Sequence, residues 1–165
     1  YDNFIGKTVQ KNDLESDGLV FFREHRIRFQ QELARKTRGL PTSIDKRLDL
    51  FCGKLETLLN LKDEKPALLH GDLWSGNHFA SHDQVPYIFD PAVYFGLREA
   101  DLAMTEMFGR LPEEFYSAYH EVFPTQPGYT ERKDLYNLYH LLNHYNLFGG
   151  SYLEQADQTV RSFVD

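Results

Sequence analysis

The stretch His70-Gly71-Asp72-Leu73-Trp74-Ser75-Gly76-Asn77, continued through His78-Phe79-Ala80 and Val85-Pro86-Tyr87-Ile88-Phe89 to Asp90, concentrates the chemistry of this chain. It holds a His-x-Asp, an Asn five residues after that Asp, and a second Asp that closes an apolar run and precedes Pro91. Ala67-Leu68-Leu69 reads as a short strand running straight into His70, and Asn77 to Ala80 and Val85 to Phe89 read as two strands joined by the polar turn Ser81 to Gln84. The polar loop is therefore expected between a strand and a hairpin.

Outward from this loop the chain reads as helices. Residues 1 to 13 are polar and contain Asn3, Gly6 and Asn12, which predicts an irregular opening segment docked through Phe4 and Ile5. Leu19, Phe22, Phe29 and Leu33 predict one long amphipathic helix over Leu14 to Lys36, ended by Gly39-Leu40-Pro41. Thr42 and Asp45 form a capping-box signature for a helix to about Asn60, whose core stripe is Ile44, Leu48, Phe51, Leu55 and Leu58. Lys62 to Pro66 reads as a charged turn. After the hairpin come a helix over Arg98 to Phe108 stopped by Gly109, and a helix opened by Pro112 that buries Phe115, Ala118, Tyr119 and Val122. A helix over Thr130 to Phe148 turns in Leu135, Leu138, Leu142 and Tyr145, and a last helix is capped by Ser151 with Glu154. The fold class is mainly α with a small β-hairpin element, in a single domain spanning residues 1–165.

The totals narrow the partners. A length of 165 residues suffices for one domain with a sizeable core, and 13 Phe with 10 Tyr supply its bulk. A formal charge of -7 argues against a nucleic-acid partner, because phosphate binding needs clustered Lys and Arg; the basic run Arg23 to Arg38 is interrupted by Glu24 and Glu32 and reads as a solvated helix face. The single cysteine, Cys52, rules out an intrachain disulfide and falls at an apolar helix position, as a buried thiol in a reducing compartment would. No run approaches the ~20 apolar residues of a membrane span, and the opening YDNFIGKTVQ is neither a signal nor a transit peptide, so a cytoplasmic protein is expected.

Within the loop, His70, Asp72, Leu73 and Asn77 keep the offsets of the kinase catalytic loop H-R-D-L-x-x-x-N, with Asp90 in the position of the metal-binding aspartate that follows it. Phosphoryl transfer asks for an oriented acceptor hydroxyl and a divalent cation against developing charge. Asp72 suits the proton acceptor; Asn77 and Asp90 offer the oxygen ligands that Mg2+ favours beside phosphate; Gly71 and Gly76 let the backbone turn between them. Taken singly, Asp72 and Asn77 are ordinary turn residues; their joint spacing carries the reading. His70 is expected to support the backbone near Asp90, and Asp101 to brace the loop from the start of a helix, against a plain helix-start carboxylate. Trp74 and Tyr94 are candidates for stacking on a polar ring substrate or for packing. A zinc hydrolase built from His70, Asp72, His78 and His82 is the rival chemistry, and needs a turn and a strand to converge in an unusual way.

HGDLWSGN, with FDPAVYFG and READLAMTEMFG after it and YDNFIG and FFREHRIRFQ before it, resembles the fructosamine kinase (ketosamine-3-kinase) family, related to aminoglycoside phosphotransferases and choline kinases and sharing their protein-kinase-like fold. The HGD-x4-N core is common to that whole superfamily; Trp74 and the DPAVYFG to READLAMTE continuation point to the narrower family. The resemblance implies Asp72 as catalytic base, Asn77 and Asp90 as Mg2+ ligands, ATP as phosphoryl donor, and a small-molecule or protein-bound ketoamine as acceptor. Phosphorylation at the sugar 3-hydroxyl would release the adduct and repair the amine. An aminoglycoside- or choline-type kinase, or a catalytically silent binding lobe, are the alternatives. The chain has no Gly-rich loop ahead of its helices and no initiator Met, so residues 1–165 read as the C-terminal lobe alone, lacking the nucleotide-binding lobe and expected to bind ATP weakly and turn over little.

Overall fold

The computed structural model describes residues 1–62 and 64–165. The element order is β1 (Asn3–Ile5), β2 (Thr8–Gln10), α1 (Gly18–Phe21), a π-helical stretch Phe22–Arg28, α2 (Phe29–Thr37), α3 (Thr42–Leu59), β3 (Ala67–Leu69), β4 (His78–Ala80), β5 (Pro86–Ile88), β6 (Tyr94–Gly96), α4 (Glu99–Met107), α5 (Glu113–Val122), α6 (Tyr129–Phe148) and α7 (Tyr152–Val164). The architecture is mainly helical with three small antiparallel ribbons, β1 with β2, β3 with β6, and β4 with β5.

Helix α6 is the axis. Leu135, Tyr136, Leu138, Tyr139, Leu141 and Leu142 are all buried, because α2, α4 and α7 pack around it and leave little of its circumference to water. The stripe of α3, Leu48, Phe51, Cys52, Leu55 and Leu59, closes the same core with Ala156 and Val160 of α7. Cys52 is buried as expected, and desolvation pushes its thiol up to about 11. Asn60, left-handed at φ 45°, ends α3, while its start at Pro41 has no side-chain cap. Asp45 is instead engaged by Gln31 and Arg35, so the capping box read from the sequence is not formed. Ser151 likewise makes no cap bond to α7.

The helix expected over Leu14 to Lys36 is shorter at its start and not uniform. Asp17 caps it by accepting from the amides of Leu19 and Val20. Phe21 and Phe22 are buried, then Arg26 and Ile27 five residues on, then Gln30 and Gln31 four further on. The five-residue step is the π-helical stretch, which resets the phase of the buried face and carries Arg26 into the core. There its guanidinium lies 4.0 Å from the Tyr94 ring centroid and 4.5 Å from that of Phe21, and donates to the Lys11 carbonyl and Asn12 Oδ1, both at 2.7 Å.

Residues 1 to 13 are irregular only at their ends: from Asn3 to Gln10, β1 and β2 pair as a hairpin with Phe4 opposite Val9. Ile5 docks inward, whereas Phe4 stays 63% exposed on the outer face. In α5 the inward residue is Tyr116, and Val122 is exposed, so the buried face is rotated from the one expected. The expected turn Lys62 to Pro66 falls in part on residue 63, outside the described residues. Among the described residues no helix is long and apolar enough to cross a membrane.

The loop is framed on both sides. β3 leads into His70 and pairs with β6, Leu69 opposite Tyr94, while the hairpin β4–β5 sets His78 opposite Ile88. Chain 70–77 and chain 89–93 consequently run side by side, joined where Ala92 N donates to His70 O at 2.9 Å and Phe89 N to Asn77 O at 3.1 Å. Truncating the core that seats this frame, Phe51→Ala, is expected to cost about 3–5 kcal/mol, read from the urea unfolding midpoint.

Candidate active site

Asp101 lies in the first turn of α4, and its two carboxylate oxygens accept from successive backbone amides, Oδ2 from His70 N at 2.7 Å and Oδ1 from Gly71 N at 2.8 Å. Burial raises its carboxyl above the ordinary 3.8, and the two amides pull in the opposite direction. The turn of α4 that carries it is itself fixed. Glu99, two residues earlier, is buried and held by Arg132 of α6 through Nε at 2.7 Å and Nη2 at 2.6 Å. Gly71 sits at φ 81°, and a Cβ there would collide with the Ala92 carbonyl.

His70 bonds along the loop rather than across a cleft. Its Nδ1 accepts from Asp72 N at 3.3 Å, so the ring proton belongs on Nε2, which donates to the Phe89 carbonyl at 3.0 Å, one residue before Asp90. Asn77 is buried and spends its amide NH2 on Asp72, at 2.9 Å to the backbone oxygen and 3.2 Å to Oδ2. Its amide oxygen is left as a donor for a cation. Asp90 is exposed, adopts the left-handed conformation at φ 54°, and follows the residue laddered to Asn77. Asn77 and Asp90 are the residues that could hold a divalent cation here, one through a neutral oxygen and one through an anionic one, a hard pair of the kind Mg2+ takes. Desolvation, opposed by the Asn77 bond and reinforced by the Asp90 charge, holds the Asp72 carboxyl above its ordinary value.

Three side chains bring the N-terminal hairpin to this site. Gln10 Nε2 donates to the Ala92 carbonyl at 2.9 Å, Asn3 Nδ2 to the Val93 carbonyl at 2.8 Å, and Asn12 Nδ2 to the same carbonyl at 3.3 Å. Gln10 also accepts from the Tyr139 hydroxyl of α6 at 2.8 Å, so the segment after Asp90 is tied to the central helix.

Asp72 and Trp74 line one side of a cavity of about 340 Å3, closed by Met104 and Phe108 at the α4 end, by His140, Asn143 and His144 of α6, and by Phe148 and Tyr152. Trp74 is 37% exposed and meets Phe108 edge-on at 6.0 Å. Sequence periodicity singles out none of these α6 residues; the signal that would find them is the polar trio His140, Asn143 and His144 spaced three and four residues apart, on one face of a helix whose leucines are buried. Tyr94 requires a correction. It is only 5% exposed, stacked on Phe21 at 5.6 Å and covered by Arg26, so it is a core residue and not a platform for substrate. Of the rival zinc set, His82 projects into solvent from the hairpin turn, and the described residues include no cluster of three or more His, Cys, Asp or Glu able to hold a metal.

Helical lobe, paired short ribbons and an HGD-x4-N loop alongside the strand that leads to a second aspartate define a mainly helical, kinase-like lobe. The chain belongs to the fructosamine kinase family, whose model it matches over residues 1–165. It is 49% identical over 163 residues to a protein of Vibrio parahaemolyticus named "Probable ketoamine kinase", covering 99% of this chain and 55% of that protein. It is 44% identical to the chloroplastic protein-ribulosamine 3-kinase of Arabidopsis thaliana, covering 99% of this chain and 49% of the relative. Among solved structures, one described as a "putative fructosamine-3-kinase" from Thermobifida fusca superposes with a TM-score of 0.90 at 35% identity, over 98% of this chain and 56% of the other. The chain spans about half the length of the curated relatives it matches.

The brace is directly testable. Asp101→Asn turns one of the two acceptors into an NH2 facing a backbone N–H, and should cost about 1–3 kcal/mol. Hydrogen exchange at the His70 and Gly71 amides is expected to accelerate selectively, and unchanged exchange there would remove the brace from the account.

Proposed function

We propose that residues 1–165 form the helical lobe of an ATP-dependent ketoamine kinase and supply the proton acceptor, the metal ligands and the acceptor pocket for phosphorylation of a fructosamine-type adduct at a sugar hydroxyl. The observation that carries this reading is the Asn77 amide bonded to Asp72, with Phe89, the residue before Asp90, laddered to Asn77 and Asp72 itself lining a cavity of about 340 Å3. Asp72 accepts the proton of the acceptor hydroxyl as its oxygen bonds the terminal phosphorus; the bond from that phosphorus to the bridging oxygen breaks and ADP leaves. Mg2+ held by Asn77 and Asp90 would neutralise charge on the phosphate oxygens. His70 and Asp101 position the loop, and Trp74 offers a ring face to the sugar. The names of the relatives, ketoamine kinase and protein-ribulosamine 3-kinase, support a ketoamine as acceptor, free or protein-bound, and hence a role in deglycation. A reducing compartment such as the cytoplasm suits the single buried thiol, Cys52.

Asp72→Asn in the full-length protein tests this. Loss of a positioned base should lower kcat by about 10²–10⁴-fold with ATP and a fructosamine as substrates, measured by ADP release. The same variant should gain stability. The folded-state carboxyl titrates above 3.8, so its contribution to stability is present at low pH and lost as pH rises through the folded value, whereas an amide loses nothing. At pH 7 the variant is therefore expected to melt higher than the wild type, with the gap closing below the ordinary carboxylate value. A variant that keeps full turnover would refute the assignment of Asp72.

A further inference from the structure

Beyond Asp72 the cavity follows a continuous series of ring contacts. Phe108, which meets Trp74, lies edge-on to His144 at 5.4 Å, and His144 stacks on Phe148 at 5.7 Å and on Tyr152 at 5.0 Å. Phe148 ends α6 and Tyr152 begins α7; the left-handed pair Gly149 and Gly150, at φ 71° and 66°, reverses the chain between them and leaves the two rings 6.3 Å apart. The floor of the cavity is buried at Met104 and His140, whereas Phe148 is 65% exposed, so the two rings stand at its mouth.

An isolated exposed Phe is ordinary on a protein surface. This one is continuous with the cavity that holds Asp72, and the wall it extends is uncharged. Among the described residues Asp72 is the one charged side chain lining the cavity, and burial pushes His140 down to about 3 and lowers His144 as well, so both imidazoles are neutral at physiological pH. A neutral aromatic wall accepts apolar groups, and its ring faces attract a cation. A ketoamine presents both: its sugar and its amine substituent are joined through a secondary ammonium.

We propose that Phe148 and Tyr152 form a subsite for the organic group carried on the ketoamine nitrogen, so that the sugar lies toward Asp72 and the amine substituent packs against the outer faces of the two rings at the mouth. The inference rests on reading the cavity as the ketoamine site, and binding separates it from turnover.

The test uses the full-length protein and the fructose adducts of benzylamine and methylamine, with affinity measured by calorimetry and phosphorylation by ADP release. Wild type should bind the benzyl adduct about tenfold more tightly than the methyl adduct, as expected for burial of one additional ring. Phe148→Ala should erase that preference while leaving the methyl adduct within about twofold, and Phe148→Leu should restore part of it. Tyr152→Ala should act in the same direction. Equal affinity of wild type for the two adducts, or an equal loss for both in Phe148→Ala, as for a ring that only packs against the rest of the protein, would overturn the proposal. Selective binding without phosphorylation of either adduct would keep the subsite and remove the kinase reading instead.

Discussion

The Asp101 carboxylate, accepting the amides of His70 and Gly71, is the contact through which the helical core takes hold of the loop. Bonds from backbone N–H groups to an ionised acceptor contribute about 1.5–3 kcal/mol each, and here two adjacent ones fix both the position and the direction of the loop's first turn. The grip is transmitted. Arg132 of α6 holds Glu99, Glu99 sets the first turn of α4, and that turn presents Asp101. Removing one partner of a buried pair such as Arg132–Glu99 leaves the other charged and unpaired, at roughly 3–5 kcal/mol, so the loop inherits the rigidity of the central helix.

Stability and chemistry pull against each other at this end of the molecule. Asp72 is kept in surroundings that disfavour its charge, Asp90 occupies a left-handed backbone region that a β-carbon resists, and the His140 imidazole is buried among apolar side chains. Each lowers the stability of the fold somewhat. The compensating contacts lie elsewhere, in the apolar faces of α3, α6 and α7, where the side chains are buried and conventional.

What could be read from the sequence follows from which forces are local. The stripe of α3, the inward residues Leu135, Leu138 and Leu142, and the β4–β5 hairpin are written in periodicities of four to twenty residues, and the structure has them where the pattern does. The loop was legible because its chemistry demands fixed offsets. The ribbon β3–β6 was not, since Tyr94-Phe95-Gly96 has no strand pattern until Leu68 lies across from Phe95. The π-helical stretch escaped for a related reason: one added residue per turn changes which side chains face inward, and a fixed 3.6-residue period assigns Arg26 to solvent. Tyr94 is near Asp90 in sequence, but strand alternation and the buried Arg26 turn it into the core. His140 and His144 lie some seventy residues from Asp72, and only the packing of α6 against the loop made them neighbours.

The amides of Asn3, Gln10 and Asn12 reach carbonyls 81 to 90 residues further along the chain. Closing a loop of that size costs entropy that grows only with the logarithm of its length, but that cost falls before any of these bonds can form. Helices α6 and α7, adjacent in sequence, face no such delay. The segment after Asp90 therefore belongs to the slow, topologically distant part of the folding reaction. A chain with its helices already packed can still have Ala92 and Val93 unclaimed, and the geometry around Asp90 is complete only once the two ends of that long interval have met.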